Sequence, residues 1–65
     1  MVKYPNISVD LTTDEGNAFN IMLRVSTALR ANEVDDEQIE KYLEQSCAKD
    51  YNHLLKTAGE WVNVV

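Results

Sequence analysis

The chain has 65 residues, with eleven Asp or Glu, six Lys or Arg and one His, so its formal charge is −5, and 45% of its residues are apolar. That length suits one domain, spanning 1–65, and surface scaling for its mass leaves roughly 60% of the unfolded surface buried, a core that a deep substrate cavity would largely consume. Six scattered cations against eleven acids make no phosphate-binding stripe, which argues against direct binding of DNA or RNA.

The single Cys47 excludes an intramolecular disulfide, so oligomerisation is the expected aid to a chain this short. Two Gly and one Pro among abundant Leu, Ile and Val mark a chain that folds. Its longest apolar runs, such as Ile21-Met22-Leu23, fall far short of the roughly 20 residues that cross a bilayer, so no membrane association is expected. The start Met1-Val2-Lys3-Tyr4-Pro5 lacks the apolar core of a signal peptide, which points to the cytoplasm. The Asn6-Ile7-Ser8 sequon is then fortuitous.

Ile7, Val9 and Leu11 alternate with Ser8, Asp10 and Thr12, a period of two that predicts a half-buried strand, with Pro5 setting its start. Thr12 with Glu15 reads as a capping box, and Asp14 is a second cap candidate. From about residue 16 to 31 the pattern is helical. Ala18, Ile21, Met22, Val25, Ala28 and Leu29 form one stripe, and Phe19 and Leu23 widen it to an arc of roughly 220°, about twice what a surface helix needs. Cover on two sides is expected, from the rest of the fold or from a second copy in a homodimer.

After the break at Asn32-Glu33-Val34, Asp35 is an N-cap, Gln38 completes a capping box, and Val34 can staple against Ile39. The second helix is predicted to run to about residue 49, with Ile39, Tyr42, Leu43 and Cys47 inward and Cys47 a small core residue. Asp50 caps a third helix with Tyr51, Leu54, Leu55 and Ala58 inward. Gly59 is placed as its left-handed C-terminal residue. Trp61-Val62-Asn63-Val64-Val65 is strand-like, with Trp61 either a core anchor or a sheet-edge contact in an interface, although Trp61 and Val62 have opposite parity.

The main polar feature is the acidic segment of Glu33, Asp35, Asp36, Glu37, Glu40 and Glu44, relieved only by Lys41. Glu37, Glu40 and Glu44 fall within roughly 60° on the outer side of the second helix. Such a stripe is either a solvated face or a docking surface for a basic partner, one version being an inhibitor that mimics a nucleic-acid backbone. We take Glu33, Asp36, Glu37, Glu40 and Glu44 as the candidate partner-binding residues. A rigid helix lacks the Gly-turned spacing of a calcium loop, and one Cys with one His makes no zinc set, so no metal or other cofactor is expected. His53 projects to the polar side of its helix, away from any partner for nucleophilic catalysis, and no Gly-rich phosphate loop is present, so an enzyme is not expected.

Lys3-Tyr4-Pro5, Ile7-x-Val9-x-Leu11-Thr12, DEGNAF at 14–19, Asp50-Tyr51 with Leu54-Leu55-x-Thr57, and Trp61-Val62-x-Val64 together resemble a group of small proteins of bacteria and their phages. The resemblance spans nearly the whole chain. That group has no established activity, so the resemblance implies an intracellular, phage-borne accessory protein and carries over no site residue. Where a Gly-containing turn is expected between the first two helices, this chain has Ala31-Asn32-Glu33, and Asn32 is expected to take the left-handed conformation.

The fold expected is α+β, in the order β-α-α-α-β, with the terminal strands paired and packed against the helices. The function expected is a cytoplasmic protein–protein interaction module docking a basic partner. A structural homo-oligomer without an acidic docking site is the alternative.

Overall fold

The computed structural model describes residues 2–12 and 16–65 and has the expected order: β1 (Tyr4–Val9), α1 (Ala18–Ala31), α2 (Asp36–Ser46), α3 (Tyr51–Trp61) and β2 (Val62–Val64). The two strands pair in parallel, so the three helices together form the crossover that parallel pairing requires. Lys3 N–H donates to the Glu60 carbonyl at 2.8 Å and Val65 N–H to the Val9 carbonyl at 3.0 Å, which extends the pairing past both ends of β2.

Three short polar side chains start the helices. Asp35 accepts from Gln38 N–H at 3.1 Å and Asp50 from His53 N–H at 2.9 Å, as expected of carboxylates at N-caps. At α1 the cap is Asn17, accepting from Asn20 N–H at 3.1 Å. The expected capping box falls partly on Asp14 and Glu15, which lie outside the described residues. Its other member, Thr12, instead donates through its N–H and its hydroxyl to Asp10. That hydroxyl, then that N–H, hold the Asp10 carboxyl below its ordinary pKa. Gln38 does not close a capping box either, because its Oε1 accepts from Lys3 Nζ at 2.7 Å.

The core is built from one stripe of each helix, Ile21, Val25 and Leu29 with Ile39, Tyr42, Leu54, Ala58 and Trp61, closed by Ile7, Val9, Leu11 and Val62. Trp61 is its corner. The ring is stacked with Tyr4 at 6.1 Å, meets Tyr42 edge-on at 5.8 Å, lies under Lys3 Nζ, and donates from Nε1 to Gln45 Oε1 at 2.9 Å. Those contacts keep the chain helical through Trp61, contrary to the expected strand, and remove the parity conflict: Trp61 is inward as a helical residue and Val62 as a strand residue.

Other expectations are corrected by the same packing. Gly59 lies inside α3, and the residue in left-handed conformation at the end of α1 is Glu33, with φ +64°, not Asn32. Cys47 is exposed, because α2 ends at Ser46, and Ser46 takes the buried position. Leu55 is exposed and Thr57 takes the inward place, its hydroxyl donating to the His53 carbonyl. Pro5 sits within β1 rather than before it. It is tolerated because the register jumps from Tyr4↔Val62 to Ser8↔Asn63, leaving Pro5, Asn6 and Ile7 in a bulge with no partner in β2. The wide stripe of α1 is covered on its Ile21–Val25–Leu29 centre, while Phe19 and Leu23 stay 70% and 54% exposed.

Candidate partner-binding face

Ile39, Tyr42 and Ser46 turn one side of α2 to the core, and helical geometry then sends Glu37, Glu40 and Glu44 to the opposite side. All three are exposed, as are Asp36 in the first turn of α2 and Glu33 in the turn before it. Asp36 and Glu37 occupy the first turn, where carboxylates complement the positive end of the helix dipole. Glu44 is in the last turn, where the dipole is unfavourable to it and where α2 has no basic residue.

The turn that carries Glu33 has defined geometry. Val34 N–H donates to the Leu29 carbonyl at 3.0 Å and Glu33 N–H to the Arg30 carbonyl at 3.0 Å, the paired bonds of a Schellman ending with Val34 packed on the core. Asn32 is the cap before it, its side-chain amide donating to the Ala28 carbonyl at 2.8 Å. A glycine would take φ +64° without penalty, whereas a glutamate there pays the steric cost of its Cβ. Two of the five acids thus stand where local structure disfavours them.

Beside this turn lies a groove of about 360 Å³, with Tyr4, Asn6 and Ile7 on one wall and Glu33, Asp35 and Gln38 on the other. Sequence reasoning marks Glu33 and Asp35 but not the β1 wall. That wall is brought to the turn by the packing of β1 against the helices, a long-range contact with no local sequence signal. A second, more apolar groove of about 290 Å³ lies between Leu11, Ile21, Tyr51, Leu55 and Val64.

His53 is not free on the polar side of α3. It is half-buried, with Nε2 at 2.9 Å from the Gln45 carbonyl and 3.3 Å from Thr57 Oγ1. A ring nitrogen so placed donates to a carbonyl of the last turn of α2 and ties α2 to α3. Cys47 lies elsewhere, its Sγ 3.5 Å from Met22 Sδ. Among the described residues, no group of three His, Cys, Asp or Glu is arranged to hold a metal ion, and no helix is long and apolar enough to cross a membrane.

Inside α2 the Tyr42 and Ser46 hydroxyls are buried one turn apart without reaching hydrogen-bond geometry. Burial pushes the Tyr42 phenol up, and the nearby Ser46 hydroxyl opposes this more weakly. No family model, no curated protein and no solved structure matches the chain.

Proposed function

We propose that the protein is a non-enzymatic interaction module of the cytoplasm, an accessory protein of phage type, that docks a basic partner protein on the face formed by Glu33, Asp36, Glu37, Glu40 and Glu44. The observation that carries this reading is the placement of Glu33 and Glu44. A face that is merely solvated can put its acids at favourable positions, whereas this one holds a carboxylate at φ +64° and another at the negative end of a helix. Departures from local preference concentrate at functional sites. A single-sign surface also steers a partner of opposite charge and makes its association salt-sensitive.

Partner capture from cell extract on the immobilised protein tests this, with the Glu37→Lys, Glu40→Lys, Glu44→Lys triple variant as control. A stoichiometric partner that is lost at high salt and lost by the folded variant is the expected result. A partner retained in both conditions contradicts the reading.

The exposure of Phe19 and Leu23, one turn apart on α1, favours a second reading, a homodimer through that helix. Light scattering decides it: a particle of twice 7.4 kDa that persists at high salt supports the dimer, and a 7.4 kDa particle at high micromolar concentration removes it.

A further inference from the structure

The groove beside Glu33 runs along the free edge of β1. It is lined by Tyr4, Asn6 and Ile7 of β1 and by the α1–α2 turn, with no residue of β2 in its lining, so it lies on the side of β1 away from β2. Among the described residues the sheet has two strands, and β2 occupies the other edge of β1. The polar groups of the main chain agree with this. Val9 accepts from Val65 and so turns its groups toward β2, which leaves Ser8, its neighbour in the alternation, turned away. Pro5, Asn6 and Ile7 are bulged out of register with β2 and Pro5 has no N–H, so it is Ser8 that offers regular main-chain groups on the side away from β2. An edge of this kind offers donors and acceptors to an added strand.

The opposite wall is acidic. Glu33 and Asp35 border the groove, and Asp36 and Glu37 continue from it along α2. Two cations stand near this wall: the Lys3 ammonium is held 2.7 Å from Gln38 Oε1 and 4.3 Å above the Trp61 ring, and Arg30 is in the last turn of α1, its carbonyl accepting from Glu33 N–H. The four carboxylates outnumber them. A strand lying on the β1 edge would present every second side chain to that wall.

We propose that the groove binds an extended segment of a basic partner protein, which adds to the β1 edge through its main chain and places Lys or Arg at alternate positions against Glu33 and Asp35. This rests on the reading of the acidic face as a docking surface and narrows it, since a helical basic segment has no free main-chain groups for the edge.

The probe is a fluorescent peptide of about six residues, the length of an ordinary strand, alternating Lys and Val, read by fluorescence anisotropy with the full chain. Two further peptides carry N-methyl groups on the amides of one edge or of the other. The parent peptide is expected to bind, and methylation of one edge only should weaken it about tenfold or more, the loss of several main-chain hydrogen bonds. Hydrogen exchange at Ser8 should slow in the complex. The Glu33→Gly, Asp35→Asn variant keeps a turn-compatible residue and an N-cap, and it should lose a similar factor while circular dichroism shows the fold intact.

Equal affinity of both methylated peptides overturns the proposal, as does no binding of the parent peptide, whether or not the protein is then found to pair its own β1 edges. The Glu37→Lys, Glu40→Lys, Glu44→Lys variant separates the two claims. Binding abolished by that variant but indifferent to methylation leaves the docking face standing and removes the strand addition. Binding sensitive to methylation of one edge and to Glu33 and Asp35, but not to the triple variant, keeps the groove and removes the α2 stripe.

Discussion

The end of α1 and the end of α3 use the left-handed conformation in opposite ways. At α1 a Schellman ending requires it, and the residue that supplies it is Glu33, which is poorly suited to φ +64°. At α3 a glycine stands two residues before the last helical position, yet its φ is not positive and the helix runs on through it. The difference lies in the neighbours on the C-terminal side. Beyond Gly59 is Trp61, whose ring is fixed by Tyr4, Tyr42 and Gln45, so burial of that ring outweighs the weak helical preference of glycine. Beyond Glu33, Val34 packs against the edge of the core and Asp35 caps α2, while the side chain at the turn itself faces solvent, as the acids of α2 do. One end is shaped by the core. The other carries a surface charge at a position where the core demands nothing of the side chain.

Substitutions at the two ends and at their supports put that contrast to the test. The largest effect is expected at Trp61→Ala, which should cost about 3–5 kcal/mol and release the end of α3 from Gly59 onward, read by urea unfolding and by hydrogen exchange of residues 59–62. Retained protection there would show that the ring does not hold the helix. Next is Asp35→Ala, which should cost about 1 kcal/mol through loss of the α2 cap, read in the same unfolding assay. Gln38→Ala, by contrast, should leave α2's start intact, since that side chain serves Lys3.

Glu33→Gly should stabilise by about 1 kcal/mol by relieving the left-handed strain. Gly59→Ala should stabilise by about 0.5–1 kcal/mol, because a Cβ there meets nothing within 4 Å and the backbone is helical. Both gains are checked as upward shifts of the urea midpoint, and a loss at either position would reverse the assignment of its conformation.

The smallest change at neutral pH is expected from Tyr42→Phe, about a few tenths of a kcal/mol in either direction, because the hydroxyl removed is buried without a partner. At alkaline pH the wild type should differ. The folded-state pKa of Tyr42 is raised by burial, so the stability linked to its neutral form is complete below the ordinary phenol pKa of 10.0 and is lost as pH rises through the higher folded value. Tyr42→Phe should therefore flatten the alkaline limb of a stability–pH curve. An unchanged limb would show that Tyr42 ionises without penalty.

How much of the fold is legible in the sequence depends on how far apart the deciding atoms lie in the chain. Asp35 and Asp50 can be read as caps because capping is settled within three residues, and the order of elements comes from hydrophobic spacing. The same local rule chooses Thr12 and Glu15 for α1, where Asn17 does the capping, since several polar residues compete in that stretch. Trp61 and Gly59 escape a local reading because their conformations are set by Tyr4 and Tyr42, both distant along the chain. Cys47 and Ser46 exchange roles for a simpler reason: apolar character suggests Cys47, but Ser46 projects between Ile39 and Tyr42 on the inward side of α2. Of the candidate site, the acids of α2 are legible from helical projection. The groove is not, because it is formed between β1 and the α1–α2 turn, which lie far apart in the chain, and because Glu33 rather than Asn32 takes the left-handed turn.

If Glu33 keeps an acid at the turn for recognition and not for folding, two quantities measured on Glu33→Gly must move in opposite directions. They are the urea midpoint and the affinity for the alternating Lys–Val peptide at low salt. Stability should rise and affinity should fall. An affinity that stays level or rises with the added stability would contradict a role for Glu33 in recognition.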